Sequence, residues 1–201
     1  MGRQFYSGDP LDVAPQLLNK LLVRRASAGT SRRAVRIVEV EAYRGEDDPA
    51  SHAARGPTAR NRTMYGNGGL LYVYFTYGMH WCANAVCGPR GSPRAILLRA
   101  GAPVSGLPAL RAARPTVHRD RDLARGPACL CRALGVDGED DGADLVRGDR
   151  RLVVVDDGVP PPVWPGRSGR VGIRRAADRP WRFWVPGDPH VSSIRTGGGR
   201  R

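Results

Sequence analysis

Apolar residues recur at three-to-four spacing over 11–22, LDVAPQLLNKLL, which predicts a first helix. Asp12 or another early polar group caps it, and Pro15 suits its first turn. The pattern then changes to alternation. Val35 and Ile37 alternate with polar positions in AVRIVEVEAY, 34–43, which reads as a strand. Further strands are predicted over 69–77, 79–87 and 94–100. The charged stretch 111–125 reads as a loop with a little helix, and PACLCRALG, 127–135, as a short helix ended by Gly135. GEDDGAD, 138–144, is expected as an exposed acidic turn, followed by a strand at RLVVV, 151–155. After the Pro/Gly loop 156–169, RVGIRR (170–175) and RPWRFWV (179–185) are expected to complete the sheet. Strands outnumber helices and arrive in runs, which predicts an α+β fold with a largely antiparallel sheet. One domain over 1–195 is expected, with TGGGRR, 196–201, as a disordered tail. No internal repeat is present.

Charge sharpens this picture. The chain of 201 residues carries 32 Lys and Arg against 19 Asp and Glu, a net charge of +13. Only Lys20 among those cations is a lysine. Guanidinium forks pair with phosphate in two-pronged fashion, so the imbalance points to a polyanion, nucleic acid first. No apolar run approaches the roughly 20 residues of a membrane span. The N-terminal stretch lacks the apolar centre of a secretory signal, so the expected location is the cytoplasm, at the nucleoid in a bacterium. The four cysteines, Cys82, Cys87, Cys129 and Cys131, form no CxxC or Cys/His zinc pattern and are expected reduced and buried.

Candidate chemistry concentrates in LYVYFTYGMHWCAN, 71–84, which holds Tyr72, Tyr74, Phe75, Tyr77 and Trp81. In a strand Tyr72 and Tyr74 share one face while Val73 and Phe75 take the other. Gly78 supplies the backbone angles of a tight turn, which places Tyr77 at a hairpin tip, projecting outward as a wedge for stacked bases.

Together with VEVEAYRGEDDPASHAARGPTARNR, 38–62, this hairpin resembles the alkyladenine (3-methyladenine) DNA glycosylase family. The resemblance runs from about residue 5 to about 194, through VEVEAY, ASH, TARNR, LYVYFTYGM, Asn84, LLRA, RGPACLCRALG, RVGI and RPWRFWV. It implies a single compact α+β domain with a curved, largely antiparallel sheet, a few short helices and a protruding β-hairpin. It also implies a monofunctional enzyme that flips an alkylated, 3-methyladenine-type or deaminated purine out of duplex DNA and hydrolyses its N-glycosidic bond.

Each step of that chemistry maps onto residues through the resemblance. Tyr77 would fill the gap left by the flipped nucleotide. Tyr43 and Tyr74 would stack on one side of the base and His52 on the other, where electron-rich rings attract a methylated, cationic purine. Asn84 would crowd the amino group of normal guanine. Glu41 would be the general base, with Arg99 and the backbone carbonyl of Val171 helping to hold the water. Glu39, two positions earlier on the same strand face, would be structural or on the surface. Thr58, Arg60 and Arg62 in TARNR would grip the DNA backbone. Strand nicking through a Schiff base needs an amine. Lys20, expected on a surface helix, lies far in sequence from these motifs, so plain hydrolysis to an abasic site is expected. The expected enzyme uses no metal or cofactor, acts on duplex DNA carrying damaged purines, has no membrane or obligate protein partner, and is a monomer. Cys129 stands where the family more often has lysine, which implies weaker DNA affinity.

A second reading of the same aromatics is a non-catalytic module that stacks single-stranded bases. Glu41 separates the two, because a pure binder has no need of a carboxylate among stacking rings.

Overall fold

A computed structural model describes residues 1–193, and the tail expected at 196–201 lies outside the described residues. Its centre is β2 (Arg33–Tyr43), bordered along one edge by β5 (Arg94–Ser105). The other edge of β2 is shared. β1 (Leu21–Arg24) pairs with its first half, and β8 (Arg182–Trp184) pairs with Glu39, Val40 and Glu41. β3 (Leu71–Thr76) and β4 (His80–Cys87) extend the sheet beyond β5, β6 (Leu152–Val155) extends it beyond β1, and β7 (Gly166–Ser168) pairs with β8. Every pairing is antiparallel. The fold is α+β, with three short α-helices among the described residues: α1 (Pro10–Leu17), α2 (Leu107–Ala113) and α3 (Pro127–Leu134).

The period-two alternation divides the sheet into two faces with different tasks. Leu71, Val73, Ala83, Ala85, Ile96, Leu98, Val40 and Ala42 join Leu17 of α1 and Leu130 of α3 in the main core. Their neighbours Tyr72, Tyr74, Cys82, Asn84, Leu97, Arg99 and Tyr43 face the other way and line a cavity. Burial of one face therefore fixes what the other face presents, since a slip of one residue would exchange them.

Several sequence expectations are corrected. The first helix stops at Leu17 instead of residue 22 and is capped by Asp9, whose side chain accepts the Leu11 N–H over 2.9 Å. Pro15 accordingly falls near its end. Leu21 and Leu22 suit a helix by periodicity, but pairing with both β2 and β6 claims their backbone groups. Lys20 is consequently buried at the helix–strand junction, ion-paired with Asp156 over 2.8 Å, instead of lying on a surface helix. The acidic turn at 138–144 is not fully exposed. Asp140 and Asp144 are buried and neutralised by Arg24 and Arg3. Residues 170–175 form no strand, because the Arg170 side chain and the Val171 amide are committed to carboxylates instead of a ladder. Among the described residues no helix is long and apolar enough to cross a membrane.

Candidate active site

Glu39 and Glu41 are two apart on β2, so both carboxylates leave the same strand face, and both are fully buried. Opposite them the β2–β5 register slips. Leu98 faces Val40 and Ala100 faces Glu39, which leaves Arg99 as the extra residue of a bulge, a device that bends a strand and redirects a side chain. The Arg99 guanidinium bridges the two acids. Its Nε donates to Glu39 Oε1 at 2.8 Å and its Nη1 lies 3.1 Å from Glu41 Oε1.

Glu41 receives two more donors. The Tyr43 hydroxyl reaches Oε2 at 2.9 Å and the Val171 N–H reaches Oε1 at 2.7 Å. A carboxylate offers roughly four acceptor directions, so one on Oε2 stays unfilled. Burial, followed by the charge of Glu41, pushes the Tyr43 phenol well above its ordinary value, which keeps it a proton donor. Glu41 does not itself form the cavity surface. Tyr43, Arg99 and Val171, the three residues that hold it, do.

The cavity measures about 340 Å³, within the range of roughly 300–1,000 Å³ common for small-molecule sites. His52, Tyr72 and Tyr74 line one part of it. Their grouping differs from the expected sandwich. His52 stands edge-to-face against Tyr74 with ring centroids 4.4 Å apart, so the two form one wall. Tyr43 pairs with no other ring among the described residues. Its face carries the Arg170 guanidinium instead, 4.6 Å from the centroid. The His52 ring keeps an open side toward solvent, yet crowding by neighbours and then the Arg60 charge lower its proton affinity below the ordinary value, which favours the neutral imidazole. Its Nδ1 lies 3.0 Å from the Tyr72 hydroxyl. Asn84 is held by its own amide, which donates to the Tyr72 carbonyl at 3.1 Å, and its side chain borders the cavity.

The hairpin places Tyr77 where the turn pattern requires. Tyr77 and Gly78 both adopt positive φ, 52° and 64°, and the Met79 N–H closes the turn on the Thr76 carbonyl at 3.1 Å. This is the type I′ geometry that matches strand twist. Tyr77 is 81% exposed and also touches the cavity mouth.

The TARNR loop departs from a simple phosphate grip. Thr58, Arg60 and Arg62 are exposed, but Arg60 donates to the Phe75 carbonyl at 2.7 Å and lies over the Tyr74 ring at 5.4 Å. It thereby ties the hairpin to the aromatic wall. Residue spacing carries no sign of this, nor of the role of Asn61. That residue is buried and fastens the loop by accepting the Thr58 N–H and donating to the His52 and Gly56 carbonyls. Arg174 and Arg175, also missed, are exposed directly after the cavity residues Gly172 and Ile173. Pro127 at the start of α3 borders the cavity, and Cys129 is partly exposed two residues on.

A flat ring fits such aromatic walls, and a strongly basic chain fits a ring carried on a phosphate backbone. Comparison with known proteins agrees with this class of site. The family description of methylpurine-DNA glycosylases matches residues 4–189. A Burkholderia lata protein named "Putative 3-methyladenine DNA glycosylase" is 54% identical over 190 residues, covering 94% of this chain and 89% of its own. A Streptomyces avermitilis protein of the same name is 45% identical over 201 residues, covering 99% and 93%. The chain belongs to the methylpurine-DNA glycosylase family, enzymes of DNA repair that excise alkylated bases.

Proposed function

We propose that this enzyme flips an alkylated purine of the 3-methyladenine type out of duplex DNA and hydrolyses its N-glycosidic bond, leaving an abasic site. The observation that carries the reading is the Glu41 carboxylate, held by Tyr43, Arg99 and Val171, all of which border an aromatic cavity beside the Tyr77 hairpin. Water resting against those groups can lose a proton to the unfilled side of Oε2 as the glycosidic bond lengthens. The carboxylate also stabilises positive charge developing on the sugar.

The leaving group sets the substrate order. A purine alkylated at N3 or N7 is already cationic and departs without help. A neutral deaminated purine needs a proton, and His52, biased toward neutrality, supplies one poorly at neutral pH. Alkylated purines are therefore the main substrates and deaminated purines secondary ones. No amine borders the cavity among the described residues, and Lys20 is pinned to Asp156, which favours hydrolysis over Schiff-base chemistry. Tyr77 serves as the wedge, and Thr58, Arg62, Arg174 and Arg175 meet phosphates.

The test uses duplexes carrying one defined lesion, scored for abasic sites by alkali cleavage. Wild type releases 3-methyladenine or 7-methylguanine, and borohydride traps no covalent complex. Glu41→Gln binds the same duplex but releases no base. Unchanged single-turnover excision by Glu41→Gln would overturn the assignment.

A further inference from the structure

Glu39 is a fully buried carboxylate that touches no part of the cavity, yet it accepts hydrogen bonds on both of its oxygens. Its Oε1 accepts from Arg99 Nε at 2.8 Å, Arg182 Nε at 2.6 Å and Ser192 Oγ at 2.8 Å. Its Oε2 accepts from the Ser192 N–H at 2.7 Å. Ser192 lies beyond residue 189, where the family match ends, and 153 positions from Glu39. The segment around it is tied down at neighbouring points. Arg125 Nε donates to the Val191 carbonyl at 2.7 Å, Arg182 Nη2 to the Ser192 carbonyl at 3.1 Å, and Arg99 Nη2 to Ser192 Oγ at 3.4 Å.

We propose that Ser192 and Glu39 form a clamp that positions Arg99 against Glu41, which makes the segment at 188–193 part of the catalytic apparatus. The inference rests on the hydrolytic role proposed for Glu41. A free guanidinium beside two acids has several pairing geometries. Glu39 takes the Nε edge of Arg99, so only Nη1 remains for Glu41. Ser192 in turn fixes the Glu39 carboxylate from both its oxygens and leaves it one orientation. Glu39 and Ser192 are positioning residues, since neither reaches the space a substrate would occupy. Burial alone would raise the Glu39 carboxyl, but the Arg99 and Arg182 guanidiniums hold it below the ordinary value, in keeping with a permanent anion.

The test compares single-turnover excision, lesion-duplex affinity and melting temperature for wild type, Glu39→Gln, Ser192→Ala and Ser192→Thr. The expected rate falls by about 10- to 100-fold in Glu39→Gln and Ser192→Ala, the scale of a small misplacement of a reacting group. Ser192→Thr, which keeps the hydroxyl, restores the rate. Affinity stays near wild type. Wild-type rates in Ser192→Ala, or equal losses in the Ala and Thr variants, would overturn the clamp while leaving the Glu41 assignment intact. Should Glu39→Gln fail to fold, the Ala–Thr comparison decides alone. A wild type that releases no base overturns the parent reading and this one with it.

Discussion

The backbone N–H of Val171 donates to the Glu41 carboxylate over 2.7 Å, across 130 positions of sequence. A loop without regular structure thus supplies a ligand to a group on the central strand. The loop stays in place through its neighbour. Arg170 is buried with Asp48 in a two-pronged pair, Nη2 to Oδ1 at 2.8 Å, and its guanidinium lies between the rings of Tyr43 and Trp181.

Arg170→Ala leaves the Asp48 carboxylate uncompensated in the interior. Breaking a buried pair from one side costs about 3–5 kcal/mol. At about 2–4 °C per kcal/mol for a chain of this size, the melting temperature falls by about 6–20 °C. Arg170→Lys keeps the charge but loses the fork and the stacking, and gives an intermediate loss. Single-turnover excision falls in both, because Tyr43 and the Val171 amide lose their support. A lysine variant that melts and reacts like wild type would refute this role.

Tyr77 combines exposure with a backbone conformation unfavourable to a side chain. A left-handed non-glycine residue costs about 1–2 kcal/mol. Tyr77→Gly removes that cost and no core contact, so stability rises by about 1 kcal/mol even as lesion excision drops. Thermal unfolding and excision measured on one preparation check this. A drop in both would show that the ring contributes to folding.

Asn61→Ala strips three hydrogen bonds from the loop that carries His52. Leaving buried groups without partners costs about 1–3 kcal/mol each, with solvent able to repair some of them. The expected result is a lower melting temperature, together with faster amide hydrogen exchange confined to 52–62. Exchange that stays unchanged in that segment would contradict the fastening role of Asn61.

Acid sensitivity follows from Glu39. Its folded-state value is held below 4.5, beneath that of the unfolded chain. Its contribution to stability is therefore complete above about pH 4.5 and disappears as pH falls through the folded value. Denaturant midpoints for wild type should decline more steeply than those of Glu39→Gln below that point. Parallel curves would show that other acids dominate.

Much of the site could be read from spacing because a strand obeys period two. Tyr72 and Tyr74 on one face, Val73 on the other, and Tyr77 at the turn all follow from local rules. What escaped depends on pairing between distant segments. Leu21 and Leu22 fit a helix until β2 and β6 claim them. Val171 fits a strand until a carboxylate claims its amide. Arg60 reads as a phosphate contact, yet it reaches the Phe75 carbonyl, and nothing in TARNR encodes that distance. The burial of Asp140 and Asp144 was hidden for the same reason, since their arginine partners lie far away along the chain.

The placement of Lys20 has a consequence for how the protein's charge can be regulated. With its one side-chain ammonium shut into an ion pair with Asp156, the exposed side chains that carry a permanent positive charge among the described residues are guanidiniums. Lysine acylation has no accessible target among the side chains, and alkaline conditions that discharge ordinary basic proteins leave this surface positive. Its attraction for polyanions is therefore tuned by ionic strength and hardly at all by the chemistry that silences lysines.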